Sequence, residues 1–189
     1  MTSFPPGAAA RLLHVVDGDT AYFELDRGGW VKGRLAGINT PECEKVQVRL
    51  RSGRRSARCK KDDEFYGLAA YRALRKLLAR GKLRLDCTRK ADGSCRRGRH
   101  GRVLVTIRAA GVDVAEALAR AGAAWTFTKY PSPDRARLCR AELAARRDKR
   151  GMWAAGPVPE VMAMMRARTR KWYGRHDRLC RKALRARGR

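Results

Sequence analysis

Two short acidic clusters interrupt a chain that is otherwise strongly basic. Residues 17–20 read DGDT, and residues 39–42 read NTPE. Carboxylate, amide and carbonyl oxygens are the ligands that a hard cation such as calcium takes from proteins, so both clusters could contribute to a metal site. Asp-Gly is also common in hairpin turns, and taken alone the first cluster favours a simple turn between two strands.

The net charge indicates a polyanionic partner. The chain has 45 Lys and Arg against 18 Asp and Glu, a formal net charge of +27. Positive charges in such excess repel one another unless a polyanion is nearby. Arginine in particular binds phosphate bidentately. We therefore expect DNA or RNA as the partner. An anionic membrane surface is the rival, but no strongly amphipathic basic helix stands out, and no apolar run reaches the ~20 residues of a membrane span.

The elements that must position these clusters follow from the apolar periodicity. Five segments alternate apolar and polar residues, which predicts five strands, and a helical period predicts a helix between the third and the fourth. Asp113 and Glu116 have the spacing of a helix N-terminus. The strands lie within residues 9–38, 82–88 and 103–107, and the helices within 63–80, 113–121 and 134–150. We expect an α+β fold, a five-stranded Greek-key β-barrel of the OB-fold type with three α-helices.

A basic helical extension is predicted after this domain. Residues 156–159 (GPVP) break the chain, and residues 166–189 hold eleven Lys or Arg and one acid. We predict an N-terminal segment at 1–9, the barrel domain at 10–155 and a basic C-terminal extension at 156–189. Two basic loops are expected within the domain, at 45–61 and 89–100.

The six cysteines are even in number and include no C-x-x-C pair, so a zinc site is not favoured. Pairing neighbours within one loop gives Cys43–Cys59 and Cys87–Cys95, and by elimination Cys139–Cys180. These disulfides imply an oxidising compartment, so we expect a secreted or periplasmic protein. Free thiols in a cytosolic protein are the alternative, because residues 1–10 contain no signal-peptide pattern.

Several strings occur in an order that resembles the staphylococcal nuclease (thermonuclease) family. They are VVDGDT, RLAGINTPE, YGLAA, HGRVLV, VDVAEALARAGAA and GMW, beginning at residues 15, 34, 66, 100, 112 and 151. The resemblance covers roughly residues 10–153. It implies a nuclease that hydrolyses phosphodiesters of DNA and RNA with calcium and leaves 3′-phosphate ends.

The resemblance also implies a metal site and shows where this chain departs from the family pattern. Asp19 matches the metal-binding aspartate, and Thr40 matches a ligand that uses its backbone carbonyl. Asn39 stands where the family has a second aspartate. Because the charge of the ligands tunes calcium affinity, we expect weaker calcium binding, an altered metal preference or loss of activity.

The implied catalytic residues are Glu42, Arg34 and Arg102. Glu42 matches the general base, and the two arginines match those that grip the phosphate. Fixed guanidinium groups suit the charge that develops on phosphate oxygens. Tyr130 aligns with a tyrosine near the substrate base. Further candidate substrate-binding residues come from the basic loop after Glu42: Arg54, Arg55, Lys60 and Lys61.

Three functions remain open from the sequence. The first is a monomeric, calcium-dependent nuclease of low sequence specificity. The second is a nucleic-acid-binding module on the same fold, with its chemistry weakened or lost, and Asn39 is its direct support. The third is a basic protein that binds any polyanion by charge alone.

Overall fold

The computed structural model describes residues 3–50, 53–128 and 134–185. The strands are β1 (Ala8–Val15), β2 (Thr20–Leu25), β3 (Trp30–Leu35), β4 (Ile38–Asn39), β5 (Cys43–Arg49), β6 (Arg55–Asp62), β7 (Leu83–Cys87), β8 (Val103–Ala109), β9 (Val112–Asp113) and β10 (Trp125–Thr126). The helices are α1 (Gly67–Leu78), α2 (Val114–Arg120), α3 (Arg135–Arg147), α4 (Val158–Ala163) and α5 (Ala167–Arg185), with 3-10 turns at Arg99–Gly101 and Gly151–Ala155.

Five of the strands form a closed barrel. Their order is β3-β2-β1-β7-β8, and β3 pairs with β8 in parallel to close the sheet, while β9 extends the edge of β8. Phe23, Leu85, Val105 and Ile107 alternate toward the interior and are almost fully buried. The expected α+β barrel of the OB type is confirmed.

The helices agree with the predicted ones apart from their ends. Helix α1 begins at Gly67, later than residue 63, because Tyr66 adopts a left-handed conformation with φ 73° that a helix cannot continue. Its Leu74 and Leu78 are buried against the barrel. The N-cap of α2 is as predicted, since the backbone N–H of Glu116 donates to Asp113 Oδ1 at 3.0 Å.

Where a basic loop was expected over 45–61, Cys43–Arg49 and Arg55–Asp62 form the two strands of a β-hairpin. Strands β5 and β6 are antiparallel, with Lys45 opposite Cys59 and Arg49 opposite Arg55. Val46 and Val48 are partly buried while their neighbours are exposed, which is the alternation of a strand. The long run of positive charge hid this short pattern at the sequence level.

The three predicted disulfides are present. They join Cys43 to Cys59, Cys87 to Cys95 and Cys139 to Cys180. The last one fastens α5 to α3, beside a second apolar cluster that includes Trp125, Trp153 and Tyr173. Within the described ranges, none of the helices combines the length and apolar character that crossing a bilayer requires.

Candidate active site

The two acidic clusters lie against each other at one end of the barrel. Residues 17–19 bend between β1 and β2, and the backbone N–H of Asp19 donates to Asp17 Oδ1 at 3.2 Å. A Cβ on Gly18 would lie 2.6 Å from Thr40 Oγ1, so only glycine allows the bend to pack on Thr40. The first cluster is therefore a turn, and it is also part of the site.

Strand pairing brings the two candidate arginines to the acids. Arg34 in β3 lies opposite Thr20 in β2 and forms a buried ion pair with Asp19. Its Nη2 donates to Asn39 Oδ1 at 2.6 Å. Arg102, just before β8, donates from Nη1 to Thr20 Oγ1 at 3.0 Å and lies 3.9 Å from Asp19 Oδ1. Arg34 thus links two candidate metal ligands, while Arg102 reaches the same acid from the neighbouring strand.

The pKa values of the two buried carboxylates, Asp17 and Asp19, shift in opposite directions. Burial raises the pKa of Asp19, and the Asp17 carboxylate adds to this effect, while Arg34 opposes it. Burial alone would also raise the pKa of Asp17, but Lys45 and Arg34 outweigh it and hold that pKa below its usual value. Lys45 Nζ lies 2.9 Å from Asp17 Oδ2. Lys45 is therefore a built-in counterion of the acidic turn.

The oxygen donors at this site suit a hard cation that needs few negatively charged ligands. Asp19 offers a carboxylate, Asn39 an amide oxygen and Thr40 a backbone carbonyl, all of them oxygen ligands. The Asn39 amide nitrogen donates to that carbonyl at 3.2 Å, so the two side-by-side residues are already oriented. Among the described residues, no cluster of three or more His, Cys, Asp or Glu side chains could hold a metal ion. The residues fit calcium by donor type, with a low ligand charge.

The backbone of Glu42 is fixed by the turn that precedes α1. Its N–H donates to Glu64 Oε2 at 2.8 Å, and its carbonyl accepts the N–H of Glu64 at 2.9 Å. A Cβ on Gly67 would lie 2.0 Å from the same carbonyl, so glycine is required there. The Glu42 side chain is half exposed and lies 3.5 Å from Lys45 Nζ. Burial and the Asp19 charge raise its pKa, while Lys45 opposes the rise.

A cavity of about 280 Å³ opens beside Glu42. Its lining includes three predicted site residues, Asn39, Glu42 and Arg102. The full lining is Asn39, Glu42, His100, Arg102, Trp125, Phe127, Arg166, Arg168, Thr169 and Trp172. A carboxylate and a guanidinium therefore face one polar cavity. The buried Asp19 and Arg34 contact two of its lining residues, Arg102 and Asn39.

Residues 32–155 match the family model described as staphylococcal nuclease homologue. The chain belongs to the staphylococcal nuclease family. A similar protein from Escherichia coli, named "Uncharacterized endonuclease", is 30% identical over 151 residues, which cover 79% of this chain and 80% of that protein. The resemblance predicted from the sequence is confirmed, and the chain carries a nuclease domain.

The family match covers some of the candidate site residues and leaves others outside it. Arg34, Asn39, Glu42 and Arg102 lie within the matched residues, and Asp19 precedes them. The match ends at residue 155, before α4 and α5. The part of the cavity wall that comes from α5 therefore lies outside the residues that match the family model.

The four basic candidates on the hairpin do not line this cavity. The Arg54 guanidinium stacks 3.5 Å from the centre of the Trp30 ring, and Arg55 opens β6 at the far end of the hairpin. At ~3.3 Å per residue, that end lies about 20 Å along the strands from Glu42. Lys60 is exposed, and Lys61 pairs with Glu44 at 2.9 Å. Tyr130 lies outside the described residues.

Sequence reasoning missed several residues that shape this candidate site. Lys45 stood in a run of positive charge and gave no sign that its ammonium group pairs with Asp17. Glu64 was unremarkable because it is the last of three consecutive acids, and no sequence signal marked it as the one that turns inward. Trp172 lies in the tail, beyond every family string, and no local pattern linked it to the cavity.

Proposed function

We propose that the protein is a calcium-dependent nuclease that hydrolyses phosphodiester bonds of DNA or RNA with low sequence specificity. The observation that carries this proposal is that Glu42 and Arg102 line one cavity beside the oxygen donors of Asp19, Asn39 and Thr40. Membership of the staphylococcal nuclease family supports it. The net charge of +27 supports a polyanionic substrate.

Glu42 is the general base of the proposed reaction. Its carboxylate accepts a proton from a water molecule in the cavity as that water attacks phosphorus. The P–O5′ bond breaks, the phosphate stays on the 3′ oxygen, and solvent protonates the departing 5′ oxygen. The hydrogen bonds from the turn before α1 hold the Glu42 backbone in place during this step.

The two arginines have separate tasks. Arg102 faces the cavity and donates to the phosphate oxygens on which negative charge builds. Arg34 is buried, neutralises Asp19 and orients Asn39 through the 2.6 Å hydrogen bond. In this chain Arg34 acts mainly by positioning the site, because its two terminal nitrogens face Asp19 and Asn39.

Asp19, Asn39 and the Thr40 carbonyl would hold the cation. When bound there, calcium would supply positive charge next to the phosphate. The chain's own contribution is to present three oxygens from the two clusters, with Thr40 Oγ1 donating to Asp19 Oδ2 at 3.4 Å. The site has one carboxylate fewer than the family pattern. We therefore expect it to need a higher calcium concentration than a site with that carboxylate.

We further propose that residues 10–155 are the nuclease domain, that residues 156–189 are a basic extension and that the protein acts as an exported monomer. Three disulfides support an oxidising compartment. A nucleic-acid-binding module is the second candidate. The Arg34 hydrogen bond to Asn39 Oδ1 favours it, because that oxygen is already engaged.

Cleavage assays separate the two candidates. Plasmid DNA and single-stranded RNA would be incubated with calcium from about 1 µM to about 10 mM, with EDTA as a control. We expect cleavage that requires calcium and falls by about 10²-fold to 10⁴-fold in Glu42→Gln. Glu44→Gln is the matched control, since Glu44 is exposed and pairs with Lys61. If the protein binds both substrates and cleaves neither, the binding-module hypothesis replaces the nuclease hypothesis.

A further inference from the structure

The C-terminal helix forms one wall of the cavity that contains Glu42. Arg168, Thr169 and Trp172 of α5 line it together with Arg166, the residue just before the helix. These residues lie beyond the matched staphylococcal nuclease segment, which ends at residue 155. The cavity is therefore completed by a part of the chain that the family resemblance does not explain.

Helix α5 is held in this position by several independent contacts. Cys180 is bonded to Cys139 of α3, and Asp177 accepts a hydrogen bond from Arg146 at 2.8 Å. The Tyr173 hydroxyl donates to buried Glu142 at 3.2 Å. A covalent bond, an ion pair and a buried hydrogen bond fix the helix along its length, so the wall is built before a substrate arrives.

The beginning of the helix is joined through Glu64 to the backbone of Glu42. Glu64, only 2% exposed, accepts the backbone N–H of Arg166 at 2.9 Å and the hydroxyl of Thr169 at 2.6 Å. The same carboxylate holds the N–H of Glu42. The helix therefore has a defined distance from the general base.

The wall combines aromatic surface with positive charge. Trp172 is half-buried and its ring lies nearly parallel to that of His176, at 15° and 6.2 Å between centroids. Phe127 packs on the same histidine at 4.6 Å. Arg168 is exposed and forms no ion pair among the described residues, whereas Arg166 pairs with Asp63.

We propose that Trp172 stacks an unpaired nucleobase next to the phosphodiester that is cleaved, and that Arg168 binds a neighbouring phosphate. Aromatic side chains stack bases of any sequence, and this mode needs a base that is not inside a duplex. Helix α5 thereby adds, from outside the residues that match the family model, a contact for the bases of a single strand. This inference rests on the proposed function of the cavity as the nuclease site.

The test compares single-stranded and duplex oligonucleotides of one sequence in the full-length protein. We expect Trp172→Ala to raise KM for the single strand by about 5-fold to 150-fold with little change in kcat, the signature of lost binding. Trp172→Phe retains a stacking surface and should restore most of the affinity. In Trp172→Ala the rise in KM should be larger for the single strand than for the duplex.

Binding in a Glu42→Gln background gives a second readout. Arg168→Ala should flatten the dependence of log Kd on log salt by about 0.7, the loss of one phosphate contact on a single strand. Arg178→Ala, an exposed arginine of α5 that is not in the cavity lining, is the control. Quenching of tryptophan fluorescence by a single strand should be smaller in Trp172→Phe than in the unaltered protein.

The outcomes separate this inference from the proposed function. If the parent protein cleaves and Trp172→Ala has an unaltered KM for the single strand, the inference is overturned. The proposed nuclease function is then retained. An equal loss on both substrates that phenylalanine does not restore also overturns it, since it indicates only a structural role. If the parent protein cleaves nothing, the proposed function fails, and the affinity for a single strand then tests the stacking by itself. A loss of affinity in Trp172→Ala supports the stacking, and an unaltered affinity overturns it.

Discussion

The carboxylate of Glu64 accepts the backbone N–H of the proposed general base, Glu42, at 2.8 Å through Oε2. Its other oxygen accepts the backbone N–H of Arg166 at 2.9 Å. The side chain is almost completely buried. One carboxylate therefore fastens the backbone of Glu42 to the residue just before α5, and its removal should affect both.

Glu64→Ala tests this coupling. The change leaves two backbone N–H groups without their acceptor, and each buried unsatisfied donor costs about 1–3 kcal/mol. We expect the free energy of unfolding to fall by a few kcal/mol and kcat to fall with it, as measured by urea unfolding and single-turnover cleavage. Glu44→Ala, which removes an exposed carboxylate, is the control. A Glu64→Ala protein that cleaves as fast as the parent would show that the link does not position Glu42.

Asn39→Asp restores the carboxylate that the family pattern has at this position. Arg34 can keep its hydrogen bond to the new oxygen, and the added negative charge should strengthen cation binding. We expect the calcium concentration for half-maximal cleavage to fall about tenfold, measured by calcium titration of the initial rate. Isothermal titration of calcium alone provides the readout without substrate. The same half-maximal concentration in both proteins would mean that residue 39 is not a ligand.

Arg102→Lys should reduce kcat strongly because lysine cannot reproduce the fork of guanidinium donors. Loss of one donor aimed at a developing oxyanion costs about 10²-fold to 10³-fold in kcat. The control is Arg108→Lys, an exposed arginine on the same strand β8. Rates would be measured with saturating single-stranded substrate. Equal rates for the two variants would remove Arg102 from the catalytic set.

The barrel could be predicted from the sequence because its signals are local. Val103, Val105 and Ile107 alternate within one strand, and Asp113 caps α2 three residues before Glu116. These patterns extend over fewer than ten residues and depend on the geometry of one element. The β5–β6 hairpin escaped because its alternation is weak among many charged residues.

The site could be predicted only in part, since its missing pieces depend on contacts between distant residues. Asp19 and Glu42 belong to recognisable strings, but the contact between Glu64 and Arg166 spans 102 residues. Nothing in the local composition of the tail indicates that Trp172 meets the cavity. Such contacts arise from how whole elements pack, and only the cysteine pairing of Cys139 with Cys180 hinted that the tail returns to the domain.

Acid should loosen the packing of α5 through His176. The ring is 2% exposed, and its Nδ1 accepts the N–H of Thr128 at 3.0 Å, which requires the neutral form. Burial, with Arg175 and Arg135 nearby, lowers the pKa of His176 from 6.5 to about 4. The unfolded chain therefore takes up a proton at a higher pH than the folded one. The stabilisation is complete above pH 6.5 and is lost as the pH falls toward about 4.

The expected loss is on the order of 3 kcal/mol between these limits, since each pKa unit corresponds to about 1.4 kcal/mol. Urea unfolding at about pH 7.5 and about pH 4.5 would measure it. His176→Gln cannot be protonated and should show a shallower pH dependence than the parent protein. If both proteins lose the same stability on acidification, His176 is not the responsible group.

The disulfide between Cys139 and Cys180 should matter for substrate use as well as for stability. It closes a loop with a sequence separation of 41, against 8 for Cys87 and Cys95. Loop entropy predicts that its loss costs about 4 kcal/mol, and loss of the shorter loop about 2.5 kcal/mol. We expect a Cys139→Ser and Cys180→Ser double variant to unfold more easily. Its kcat/KM for single strands should fall because α5 is then held beside the cavity by fewer contacts.

The matched control is the double variant of Cys87 and Cys95, whose disulfide lies on β7 and the following loop, outside the cavity lining. That variant should lose stability and keep its single-strand kcat/KM at temperatures where it is folded. Kinetics would be measured beside circular dichroism, so that unfolding and loss of the wall are separated. Equal effects on kcat/KM in the two double variants would show that the tether of α5 has no specific part in substrate binding.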